Sequence, residues 1–139
     1  MEAPNPQGIN RMSITFNHTI VAARDKRASA EFLTELFDLP PAMPAGHFLS
    51  VDLANGVTLD FAQAPPDAEI HPQLYAFLVS EKDFDVIYEK IQARRMAHWA
   101  DPRQARSGDY NTNDGGRGVY FLDLDGHYLE IITVPYGGW

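Results

Sequence analysis

At 139 residues the chain is long enough for one domain, or for two small modules that share a core. Its formal net charge of −8 argues against the basic face that phosphate binding needs, so nucleic acid is not an expected partner. The lack of cysteine excludes disulfides, thiolate metal sites and cysteine nucleophiles. No stretch approaches the ~18 continuous apolar residues of a membrane span. The opening Met1 to Gly8 lacks the basic and then apolar pattern of a signal peptide, so a cytoplasmic protein is expected.

Residues 1–11, with two prolines and a glycine, are expected to form a flexible arm. Ser13 to Ala22 alternates as a strand, with Ile14, Phe16, His18, Ile20 and Ala22 on one face. The period turns helical from about Lys26 to Asp38, and Leu39-Pro40-Pro41 stops it. His47 to Leu53 and Val57 to Gln63 read as a hairpin around Asn55-Gly56. The pattern then restarts. Gln73 to Val79 is a strand, and Ser80 with Asp83 is a capping box that opens a helix ending near Arg95. Ala97 to Ala100 reads as a short strand, and Asp101 to Arg117 as a long glycine-bearing loop, expected to be mobile when empty and to cover a cleft when a ligand binds. Val119 to Leu122 and His127 to Val134 flank the turn Asp125-Gly126, and residues 135–139 are a tail.

Strand, helix and hairpin thus occur twice. An offset of 56 residues carries Asn17 onto Gln73 and His18 onto Leu74, and an offset of 70 carries Asn55-Gly56 onto Asp125-Gly126 and Asp60 onto Glu130. His18, Asp60, Leu74 and Glu130 therefore become equivalent positions, and three of them could ligate a metal. Glu130, flanked by Leu129 and Ile131, needs a partner, because burying a bare charge is costly.

Y-F-L-D-L-D-G-H-Y-L-E at Tyr120 to Glu130, N-H-T-I-V at Asn17 to Val21 and L-Y-A-F-L-V at Leu74 to Val79 resemble the vicinal oxygen chelate superfamily of glyoxalase I, extradiol dioxygenases, fosfomycin-resistance thiol transferases and bleomycin-resistance proteins. The resemblance covers roughly residues 12–134. It implies an α+β fold of two βαβββ modules, residues 12–63 and 71–134, forming a curved mixed sheet around a cleft. It implies His18 and Glu130 as metal ligands, with Asp60 where some members carry a third. It also implies Tyr120 beside Glu130 as catalytic groups, and a homodimer whose clefts combine modules of two chains.

The sequence departs from the family at Leu74, where metal-dependent members usually carry histidine. His71, three residues earlier, points to the other face of a regular strand. A weakly held or absent divalent ion (Zn, Ni, Mn or Fe) follows. Two readings stay open: a metal-dependent enzyme acting on a small oxygenated molecule, with isomerase or lyase chemistry ahead of dioxygenase, or a metal-free drug-sequestering protein. Arg117, Trp99 and Leu74 are the expected substrate contacts. Each has a plainer reading: Arg117 as partner of a structural carboxylate, Trp99 as packing, His18 as a core histidine, Asp60 as a structural group, and His127 as an exposed turn residue.

Overall fold

The computed structural model describes residues 12–136. The expected N-terminal arm, residues 1–11, and the end of the tail lie outside them. The order is β1 (His18–Ala23), α1 (Lys26–Leu36), β2 (Met43–Ala45), β3 (Phe48–Asp52), β4 (Thr58–Gln63), β5 (Leu74–Leu78), α2 (Glu81–Ala93), β6 (His98–Trp99), β7 (Gly118–Leu122) and β8 (Tyr128–Ile132), with a 3-10 turn at Asn113–Gly115. Two mixed sheets result, ordered β1-β4-β3-β2 and β5-β8-β7-β6.

Both helices start on side-chain caps that satisfy otherwise orphaned N–H groups. The Asp25 carboxylate accepts from the N–H of Arg27 and of Ala28, and the Ser80 hydroxyl accepts from the N–H of Asp83. Ala30, Leu33 and Leu36 of α1, and Phe84, Ile87 and Ile91 of α2, are the buried stripe of each helix. They pack on Val21, Leu49, Val51, Leu59 and Phe61 of the first sheet and on Val119, Phe121, Leu129 and Ile131 of the second, in one continuous core.

The pairing registers reproduce the repeat. His18 lies opposite Thr58 and Leu74 opposite Tyr128, while Ser50 lies opposite Asp60 and Tyr120 opposite Glu130. The two hairpin turns close with the same bonds, Leu53 N–H to Val57 O and Asp123 N–H to His127 O. The fold is thus the expected α+β pair of modules, and the sheets do not close on each other.

The structure differs from the sequence reading in four places. The first strand begins at His18, because β4 offers no residue beyond Thr58 to pair with 13–16. The alternating apolar face of that stretch is the one turned away from the helix, so Phe16 is 66% and Ile20 53% exposed, while Val21 and Ala23 are buried. A short β2 flanks β3, where the two prolines masked any strand signal. Residues 101–117 carry local structure of their own: Asp101 accepts from the N–H of Ala105 and Arg106, Asn111 exchanges backbone bonds with Gly118, and Asn113–Gly115 form a 3-10 turn.

The fourth difference is His127, which is buried. Its Nε2–H donates to the Ala22 carbonyl at 2.9 Å, and its Nδ1 accepts from the Gln73 N–H at 3.0 Å. Beside it the Asp125 carboxylate accepts from the Arg24 N–H at 2.9 Å and from the Ser29 hydroxyl at 2.5 Å. The turn of one module therefore latches onto the end of β1 and the start of α1 in the other. His127→Phe leaves the Ala22 carbonyl and the Gln73 N–H without a side-chain partner, so urea unfolding should show a loss of about 2–4 kcal/mol. A loss below about 0.5 kcal/mol would show that the latch does not hold the modules together.

Candidate functional site

Strand alternation sends one side of each sheet to the helices and leaves the other open. The open face of the first sheet carries His18, Ile20, Ser50, Thr58 and Asp60; that of the second carries Leu74, Trp99, Tyr120, Tyr128 and Glu130. On each face one carboxylate is held by hydroxyl groups. Asp60 accepts from Ser50 at 2.8 Å and from Thr58 at 3.1 Å. Glu130 accepts at 2.7 Å from Tyr136, and its cross-strand neighbour Tyr120 lies beside it.

The setting of Glu130 is the stricter of the two. It is 1% exposed, against a half-buried Asp60, and it sits in a pocket of about 110 Å³ with Tyr120, Tyr136, Asn111 and Asp114. Burial pushes the Tyr120 phenol up, and the adjacent carboxylate pushes it further, well above the ordinary tyrosine range. Tyr136 is raised by the same two causes in the same order. Both phenols therefore stay protonated beside Glu130 across the neutral range. Tyr136 belongs to what the sequence offers only as a tail; its spacing of six from Glu130 is no known motif, and only the chain's return over β8 reveals it.

His18 is exposed, and its Nδ1–H donates to the Asn17 side-chain oxygen at 2.8 Å. That donation leaves Nε2 as the ring's acceptor, the arrangement in which a histidine serves as a metal ligand. Leu74 occupies the matching place on β5 and is 52% exposed. Trp99 lies directly across from Tyr120 on the same face. His71 is exposed before β5 begins.

Arg117 is engaged elsewhere. Its Nε meets Glu81 and its Nη2 meets Asp85, each at 2.8 Å, while the guanidinium stacks over Phe84 at 4.3 Å. These contacts match its reading as the partner of structural carboxylates, on α2 and not on Glu130. His98 donates from Nδ1 to the Met96 carbonyl and accepts from the Tyr88 hydroxyl. It belongs to the packing of α2.

Among the described residues no three His, Asp or Glu side chains come close enough to hold a metal ion. His18 and Asp60 share one sheet and Glu130 sits on the other, so one chain does not gather them. As a donor set, an imidazole nitrogen and two carboxylates suit a divalent ion of intermediate hardness. The fit requires two open faces to be brought together.

The family model described as Glyoxalase/Bleomycin resistance protein/Dioxygenase superfamily matches residues 15–131. A glutathione transferase FosA of Serratia marcescens is 31% identical over 121 residues, spanning 84% of this chain and 79% of that protein. Two solved structures superpose with a TM-score of 0.86 each. Oxidase ChaP-H1 is 50% identical, covering 91% of this chain and 100% of that one. Oxidase ChaP-H2 is 51% identical, covering 91% and 98%. No helix among the described residues is long and apolar enough to cross a membrane.

The phenols beside Glu130 give a direct reading of its charge. Glu130→Gln removes the carboxylate that opposes phenolate formation, so Tyr120 and Tyr136 should ionise at lower pH than in the parent protein. Burial remains, so both should stay above free tyrosine. Tyrosinate absorbance against pH checks this. An unchanged titration would mean that Glu130 does not carry the charge the phenols face.

Proposed function

Because this chain belongs to the glyoxalase/bleomycin resistance protein/dioxygenase superfamily, we propose that it is a cytoplasmic homodimeric oxidase of a small oxygenated organic molecule. The cleft combines the first sheet of one protomer with the second sheet of its partner. The observation that carries this reading is Glu130, a buried carboxylate bonded by the Tyr136 phenol and flanked by Tyr120 on an otherwise open face. Such a group is costly to maintain unless it does something beyond packing. The reaction type is supported by the two oxidases that match half of the residues over nearly their whole length. Isomerase or lyase chemistry has no relative of comparable identity behind it here. The transferase resemblance, at 31%, is the weaker support for a group-transfer alternative.

His18 and Glu130, with Asp60 beside them, are the residues that would hold a divalent ion. Bound there, it would supply Lewis-acid polarisation of substrate oxygens. Tyr136 keeps the Glu130 carboxylate in one orientation. When substrate enters, the Tyr120 hydroxyl is positioned to donate to a substrate oxygen on the same face. Asp60, held by Ser50 and Thr58, is placed to accept a proton from substrate. Leu74 and Trp99 give the cleft an apolar wall against which a ring can lie. Loop residues Asn111, Asn113 and Asp114 line the rim of the Glu130 pocket and cover bound substrate.

Protein purified without chelators should elute as a dimer in light scattering and bind Mn, Zn or Fe(II) in calorimetry. Leu74→His should bind more tightly, since it adds a nitrogen ligand at the position matching His18, and Glu130→Gln should bind most weakly. Oxygen uptake with catechol-type probes should need the metal and vanish in Glu130→Gln. A monomeric mass, or metal affinity indifferent to both substitutions, would contradict the reading and favour metal-free binding.

A further inference from the structure

The repeat predicts two equivalent junctions between the modules, and only one is closed. At the closed junction His127 and Asp125 reach from the β7–β8 turn to the end of β1 and the start of α1. The space left there amounts to about 10 Å³, beside Ser29, Tyr75 and Asp123. At the equivalent junction the β3–β4 turn faces the end of β5 and the start of α2. The pairing registers and turn bonds assign the substitutes: Val57 stands for His127, Asn55 for Asp125, Leu53 for Asp123 and Leu78 for Ala22. Neither an imidazole nor a turn carboxylate is present, and a notch of about 590 Å³ remains, bordered by Leu53, Asn55, Leu78, Asp83 and Val86.

The missing side chains indicate what fits. The ring of His127 fills the closed junction and donates an N–H to the carbonyl of Ala22. β5 is bonded on one side only, to β8, through Gln73 and Val79. The alternation therefore turns the carbonyl of Leu78, the counterpart of Ala22, away from β8 and toward the notch. The floor is apolar, with Phe37, Phe77 and Ile87. The rim carries Asp83 and Asp38, the latter paired with Lys90, and no arginine or lysine borders the notch. An apolar pocket of this size with an acidic rim accepts a flat cation and disfavours an anion.

We propose that the open junction is a second binding site, separate from the cleft around Glu130, for a small aromatic ring bearing a protonated amine. The ring takes the place that His127 fills at the closed junction, the N–H group donates to the Leu78 carbonyl, and Asp83 faces the positive charge. The site follows from the broken repeat and does not depend on the oxidase reading.

Tryptamine, with indole-3-acetate as the anionic control, tests this by titration into isotope-labelled full-length protein followed by NMR. Tryptamine should shift the amides of residues 53–55, 76–80 and 83–86, and should bind at least about tenfold tighter than indole-3-acetate. Val86→Arg places a cation in the notch from an exposed helix position and should abolish the shifts, with the remaining spectrum unchanged. Asp83→Asn should weaken tryptamine and, by removing a like charge, strengthen indole-3-acetate, so the gap between the two probes narrows. Shifts centred on Tyr120 and Glu130, equal affinity for the two probes, or full binding by Val86→Arg would each overturn the assignment. So would notch amides that move with protein concentration alone, since a second copy would then be the occupant.

Discussion

In each module the first strand pairs in parallel with the last, β1 with β4 and β5 with β8, and each is an edge strand of its sheet. The helix that must connect these strands covers one face, so the other face and one strand edge receive nothing from the module itself. Phe16, Ile20 and Leu74 stay exposed for that reason. Such a surface is stable in water only when something else covers it, and the open face of another module matches it.

The same constraint explains the polar groups. An open face can carry a histidine, a serine or an aspartate at no desolvation cost until a partner arrives. A carboxylate that the chain itself buries needs immediate compensation, and Glu130 receives it from the Tyr136 hydroxyl, with Tyr120 beside it. The compensation comes from a neutral hydroxyl and not from a cation: the nearby arginine, Arg117, is bound to Glu81 and Asp85. Glu130 therefore has no cationic partner among the described residues, unlike a carboxylate in a structural ion pair. The two modules also hold each other asymmetrically. One junction is sealed by His127 and Asp125, whereas its counterpart carries valine and asparagine and stays open.

Much of the architecture was legible from local rules. The Asn55-Gly56 and Asp125-Gly126 turns, the Ser80 cap and the repeat offsets are encoded within a few residues, and all reappear in the pairing registers. What eluded the sequence depends on contacts between distant residues. His127 looks like a turn histidine, and only the approach of Ala22, 105 residues away, buries it. Tyr136 follows a proline in an apparent tail, and nothing in its neighbourhood signals a bond to Glu130. The apolar face of Ile14 to Ala22 was legible as a face, but alternation alone cannot say whether helix or solvent meets it.

The central claim is that a complete site takes His18 from one chain and Glu130 from another. Subunit complementation measures this most directly. His18→Ala and Glu130→Gln, prepared separately, should each lose tight binding of Mn. Mixed in equal amounts and allowed to exchange subunits, they should regain about a quarter of the wild-type sites, because half of the dimers then hold one site with both groups intact. A mixture that binds no better than its parents would contradict the account and place any metal site within a single chain.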